Sequence, residues 1–257
     1  MKRAFLYLLG RLGYDLVKCP GRISLNGVLA NAKRNGLTPK SILDIGAGRG
    51  EFTRQALNHF PDAGILMVEP LVEFAPALSA LATGRPKVRL ANLVASDRAG
   101  TVRLNVHPDL FGSSILLERE ETDVNGVPRA VEAETLDTLV HRHAMAPPYL
   151  LKIDVQGAEG KVLAGAQRVL AETELVILEA SLLHFFADGP LIGAILAQME
   201  MAGFALYDLF GLTHRPLDGA LAQADLVFAR TKGILRRRHT YATPEQRQAL
   251  TRRLRRT

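Results

Sequence analysis

Ser41-Ile42-Leu43-Asp44-Ile45-Gly46-Ala47-Gly48-Arg49-Gly50-Glu51 is the stretch whose reading decides the fold. A short apolar run, Ser41 to Ile45, ends in three glycines at alternate positions, Gly46, Gly48 and Gly50. The pattern from Glu51 predicts a helix over 51–59. A strand, glycine turn and helix in that order bring backbone close to a ligand at a helix N-terminus. A second apolar run, Ile65 to Val68, ends in Glu69. An acid at the tip of the second strand, about 20 residues past the glycines, suits the two hydroxyls of a ribose.

The glycine spacing narrows the ligand. Dinucleotide folds use Gly-x-Gly-x-x-Gly, whose third glycine lets the helix pack closely. Here the spacing is Gly-x-Gly-x-Gly, and Glu51 follows. A pyrophosphate beside Glu51 and Asp44 would meet uncompensated negative charge, whereas a phosphate-free nucleoside with a sulfonium would not. The unit therefore reads as a site for S-adenosylmethionine rather than NAD. The competing reading is a glycine turn that binds nothing.

Outward from this unit the elements alternate. Strands are expected over 41–45, 64–68 and 87–92, with helices over 51–59 and 71–82 between them. Such alternation means a parallel sheet with helices on both faces. Its ligand belongs at the C-terminal strand ends, where Asp44, Glu69 and Asn92 fall. Residues 94–134 break the rhythm and read as an inserted β-rich segment containing Gly112-Ser113-Ser114. The body resumes with a buried strand, Tyr149 to Ile153, ending in Asp154. Gly157-Ala158-Glu159 opens a helix expected to reach about Ala171, and the strand Leu175 to Leu178 carries Glu179 at its tip. A helix over 190–202 precedes Phe204 to Leu209 and Asp225 to Ala229, read as an antiparallel pair.

Composition bounds the rest. The chain has 257 residues, 47% of them hydrophobic, enough for a sizeable core. A single cysteine, Cys19, allows no internal disulfide and suits a reducing, cytoplasmic compartment. The N-terminal apolar run Ala4 to Leu9 is too short for a membrane span and lacks the features of a signal peptide. Residues 1–40 and 234–257 each carry eight Lys/Arg against one acid, which makes the stretch between them acidic within a total of +6. Basic ends on an acidic body argue against a nucleic-acid enzyme and suit an anionic membrane surface, an acidic partner or plain solvation. The expected organisation is an N-terminal helical extension (1–39), a main domain (40–232) and a basic tail (233–257). The extension holds an amphipathic helix over 3–18 and a second over 23–36. Thr243-Pro244-Glu245-Gln246 opens a tail helix with a capping box.

The motifs Leu43 to Gly50, Val68-Glu69-Pro70, Gly112-Ser113-Ser114, Glu134-Thr135-Leu136-Asp137, Leu151 to Glu159 and Asp225-Leu226-Val227-Phe228 occur in this order. The set resembles the FkbM family of S-adenosylmethionine-dependent methyltransferases over about 40–230. One departure is Gln156, where the family usually has Glu. The resemblance implies a Rossmann-like class I methyltransferase: a doubly wound, mostly parallel seven-stranded sheet with a reversed last strand. It also implies cofactor roles for Asp44 and the turn Gly46, Ala47, Gly48 and Gly50 at the methionine moiety. Glu69, followed by Pro70, would serve the ribose, Asn92 and Leu93 the adenine, and Asp154 would sit near the methyl.

Transfer to a hydroxyl calls for a base. The candidates are Asp154, Glu159, Glu179 and His184, with His214 in a late loop. Two acids, Asp154 and Glu179, are too few to argue a metal, and none is assigned. Asp154 is followed by Val155-Gln156-Gly157 and not by Pro-Pro-aromatic, which argues against an amino-methyltransferase of nucleic acid. The sequence thus points to a cytoplasmic O-methyltransferase acting on a small-molecule, sugar, glycan or glycolipid acceptor. The alternatives are a dinucleotide-binding oxidoreductase and a non-catalytic module that binds through its basic ends.

Overall fold

The computed structural model describes residues 24–119 and 123–254, so the expected helix over 3–18 lies outside the described residues. Helix α1 (Leu25–Arg34) is capped by Ser24, whose hydroxyl accepts from the Gly27 amide at 3.2 Å. Its Val28, Leu29 and Ala32 are buried in the main core, and Asn31 donates to the Tyr207 hydroxyl at 3.2 Å. The described part of the expected extension, residues 24–39, is therefore built into the body rather than appended to it.

The first half runs β1 (Ser41–Ile45), α2 (Glu51–His59), β2 (Gly64–Val68), α3 (Ala75–Ala82) and β3 (Val88–Ala91). The β-rich segment follows as a separate sheet of β4 (Val94–Ser96), β5 (Gly100–Val106) and β6 (Val127–Thr135), which runs into α4 (Leu136–Arg142). The second half is β7 (Tyr149–Ile153), α5 (Glu159–Ala164), α6 (Gln167–Ala171), β8 (Thr173–Ser181), α7 (Ile192–Met201), β9 (Phe204–His214) and β10 (Leu221–Arg230). Helix α8 (Pro244–Leu254) closes the described chain.

The large sheet has seven strands in the order β3-β2-β1-β7-β8-β10-β9. β3, β2, β1, β7 and β8 pair in parallel, and β10 runs antiparallel to both its neighbours. This is the mostly parallel seven-stranded sheet with a reversed last strand that the resemblance implies. All five residues of β1 are buried, as a parallel strand covered on both faces requires. One face packs Leu43, Ile45, Leu151 and Val176 against α4 to α7; the other packs Ile42, Ile65, Leu150 and Ile177 against α1 and α2. Truncating any of these fully buried side chains to alanine costs about 2–5 kcal/mol.

Two expectations are corrected. The helix expected through 171 is two short helices, because the backbone at Gly165 passes so close to the Ser96 carbonyl that a Cβ would collide with it. The tail does not begin at 233: the Ile234 amide donates to Glu174 at 3.1 Å, and Leu235 packs on the core. Among the described residues no helix is long and apolar enough to cross a membrane.

Candidate active site

β1 and β7 are neighbours in the sheet, yet the chain leaves β1 towards β2 on its other side. A crevice must open at the C-terminal strand ends where the connections diverge. A cavity of about 760 Å³, its open mouth included, lies there, and Gly46, Gly48, Glu69, Pro70, Leu93 and Asp154 all line it.

The glycine turn is tied to β2 through the Gly46 and Ala47 amides, which both donate to the Val68 carbonyl. Gly46 sits at φ +75°, and a Cβ there would run into the Asp154 carbonyl, so only glycine lets β1 and β7 end side by side. Glu69 is 5% exposed and accepts from the Gly48 amide at 2.8 Å and the Leu71 amide at 3.0 Å. Burial pushes its carboxyl above the ordinary value, against those two amide bonds. Each of its oxygens keeps a further lone pair for a ligand hydroxyl. Leu71, Phe74, Leu93 and Ala95 make an apolar wall beside it. Among the described residues no Lys or Arg lines the cavity. The donor set fits an adenosine with a sulfonium, and no cation among the described lining residues offsets the charge of a pyrophosphate.

Four expected cofactor residues do not line the cavity. Asp44 lies behind the turn with no exposure, accepting from the Thr53 hydroxyl at 2.7 Å. Its Oδ1 has no hydrogen-bond partner among the described residues and stands 3.9 Å from Lys152 Nζ. The expectation that Asp44 faces the ligand is corrected: like Ile42 it stands on the sheet face covered by α1 and α2, in register with Lys152. Ala47 is a core residue. Gly50 is the left-handed N-cap of α2 beneath Leu78 and Leu81. Asn92 is exposed and donates to the Glu69 carbonyl at 3.3 Å.

The base candidates separate in the same way. His184 is exposed and does not line the cavity. Glu159 is buried, and its Oε1 accepts from the Val155 and Gly157 amides, so it staples the loop after β7. Burial pushes its carboxyl up to about 7. Asp154 stands in the cavity wall, and its Oδ2 accepts from Lys152 at 3.1 Å. Glu179 lies one strand over, half-buried and outside the cavity lining, joined to it through Gln156. Burial, then the charges of Asp154, Glu159 and Asp225, push it up to about 8.

Several residues without an expected role complete this edge. Lys152 donates to Asp154 and to the Gly46 carbonyl at 3.1 Å. Burial works against its charge, but Asp154 and Asp44 outweigh that and hold the ammonium above its ordinary value. Asp225 is in register with Glu179, and burial pushes its carboxyl up to about 6. Gln223 donates to Glu179 at 2.9 Å. The signal in the sequence was parity: 152 and 154, 177 and 179, and 223 to 227 alternate onto one face once their strands pair. At the cavity mouth the Arg49 guanidinium lies 5.9 and 5.4 Å from the Phe74 and Phe111 rings.

The 2-O-methyltransferase NoeI of Sinorhizobium fredii (strain NBRC 101917 / NGR234) is 31% identical over 155 residues, which is 54% of this chain and 63% of that protein. The chain thus matches less than two thirds of that relative's length. Among solved structures, methyltransferase FkbM from Methylobacillus flagellatus KT is similar with a TM-score of 0.46 and 16% identity, over 73% of this chain and 43% of that one. Magnesium protoporphyrin IX methyltransferase from Synechocystis PCC 6803, solved with bound SAM, gives 0.46 and 11%, over 80% and 77%. The family model described as methyltransferase FkbM domain matches residues 44–206, from the buried acid of β1 into β9. With that match spanning both halves of the sheet and every wall of the crevice named above, the chain belongs to the FkbM methyltransferase family.

Proposed function

We propose that the protein is an S-adenosylmethionine-dependent O-methyltransferase. The observation that carries the reading is the crevice itself. It joins the glycine turn, Glu69 and Asp154 around one cavity whose described wall is acidic and apolar and holds no cation. When bound, S-adenosylmethionine supplies an electrophilic methyl on a sulfonium. The Gly46 and Gly48 backbone would admit the ligand closely, Glu69 would accept from the ribose hydroxyls, and Leu93 would pack on the adenine side. Asp154 would offer a carboxylate to the sulfonium. Alignment of acceptor and methyl contributes several kcal/mol to the lowering of the barrier.

The acceptor is a hydroxyl of a sugar, glycan or glycolipid, and its proton goes to the strand-end acids. An oxygen acceptor is supported by the printed name of the relative, a 2-O-methyltransferase. The exposed Arg237, Arg238, Arg247 and Arg252 support contact of the C-terminal end with an anionic membrane from the cytoplasmic side. Co-sedimentation of the chain with and without residues 240–257 on phosphatidylglycerol vesicles tests that contact. Calorimetry with S-adenosylhomocysteine and with NADH, followed by labelled methyl transfer to a glycan panel, tests the activity. Binding of S-adenosylhomocysteine is expected, and tighter binding of NADH would overturn the assignment.

A further inference from the structure

Gln156 is constrained at both backbone and side chain by other parts of the molecule. Its φ is +54°, in the left-handed region that residues other than glycine rarely adopt. Its carbonyl accepts from the Ser114 hydroxyl at 2.7 Å, so the Gly112-Ser113-Ser114 loop of the β-rich segment pins it. Its side-chain nitrogen donates to Asp154 Oδ1 at 3.0 Å and to Glu179 Oε2 at 3.1 Å. Gln156 also lines the cavity. A glycine would take this φ without strain; what glutamine adds is the amide bridge between two carboxylates.

Those carboxylates differ. Asp154 is paired on both oxygens, by Lys152 and by Gln156. Glu179 receives only amide donors, from Gln156 and Gln223 on one oxygen. The charges facing it are Asp154 and Lys152 from β7, Glu159 from α5 and Asp225 from β10. Three of these four oppose its ionisation. A donor to the charged form works the other way.

We propose that Gln156 is a positioning residue of the methyl-transfer site: its carboxamide holds Glu179 against Asp154 and eases the loss of the Glu179 proton, so that Glu179 takes the proton of the acceptor hydroxyl. This rests on the methyl-transfer reading above. In the step, the hydroxyl oxygen forms the bond to the methyl carbon. The carbon–sulfur bond breaks with its electron pair left on sulfur, and the hydroxyl proton passes to the Glu179 carboxylate. A serine hydroxyl in the β-rich segment thereby helps to hold the loop that carries the bridge.

The test is a carbon-detected carboxyl NMR titration of Glu179 in the full chain, in Gln156→Gly and in Gln156→Asn. Glycine relieves the backbone, and asparagine also accepts the left-handed region with an amide one carbon short. Both variants are expected to keep the thermal midpoint, and the Glu179 titration is expected to move up by about half a pH unit or more in each. An unmoved titration in both folded variants overturns the proposal, since a residue that only shapes the turn would leave Glu179 alone. Calorimetry of the unaltered chain with S-adenosylhomocysteine separates the two readings. No binding removes the methyl-transfer reading whatever Glu179 does, whereas binding with an unmoved titration removes the role of Gln156 alone.

Discussion

The two sides of the crevice hold their acids by different means. On the β2 side, Glu69 is fixed by the backbone amides of Gly48 and Leu71. On the β7 side, Asp154 and Glu179 are fixed by side chains, Lys152, Gln156 and Gln223. Backbone donors survive every substitution but proline and do not titrate. Side-chain donors can be removed, and the charges around them shift one another. The β2 side is therefore built to hold one ligand group in place, and the β7 side to hold a movable proton.

The largest expected effect comes from breaking the second arrangement at its root. Lys152→Met leaves Asp44 buried beside no cation and should destabilise the fold by about 3–5 kcal/mol at pH 8. Urea unfolding measures this, and the loss should shrink as the pH is lowered and Asp44, whose carboxyl burial already pushes up, takes up a proton. Glu179→Gln should lower kcat by about 10²–10⁴ with a panel acceptor while leaving S-adenosylhomocysteine affinity near that of the unaltered chain. An unchanged kcat would move the proton acceptor elsewhere.

On the other side, Glu69→Ala should weaken S-adenosylhomocysteine by about 100-fold, since two hydrogen bonds to a charged group are worth about 3 kcal/mol or more. Calorimetry reads it directly, and thermal stability should fall less than for Lys152→Met. The pH dependence sharpens the contrast. Glu159 and Glu179 hold their protons up to about 7 and about 8 in the folded chain. Unfolded, they ionise near 4.3. Between these values the folded state binds more protons, so stability is full at low pH and falls as pH rises through 7 to 8. Scanning calorimetry should show a lower Tm at pH 8.5 than at pH 6, and activity should rise over the same range as Glu179 ionises. The smallest effect is expected at the exposed Arg129–Glu73 pair, 2.6 Å apart on the β2 side. Arg129→Ala should cost under about 1 kcal/mol in urea unfolding.

The difference between the two sides also explains what could be read in advance. Glu69, Gly46 and Gly48 stand within 25 residues of one another, and the bonds that tie the turn to β2 and hold Glu69 are to backbone groups in or next to that unit. The tail helix was legible for the same reason: Thr243 and Gln246 exchange the expected capping bonds, at 2.9 and 3.3 Å. Asp44 sits in the same stretch, but the cation that answers its charge, Lys152, is more than 100 residues away. Gln223 and Asp225 gained a role only through the antiparallel pairing of β10 with β8.

By itself, then, the sequence determined the alternation of strands and helices, the glycine turn and the acid at the end of β2. These are local: periodicity, backbone freedom and short spacings settle them. Only the tertiary structure decided which acids share a wall, which one is buried behind it, and that Gln156 stands between two of them. Those are matters of strand register and of charge at low dielectric, and both depend on residues the chain brings together from far apart.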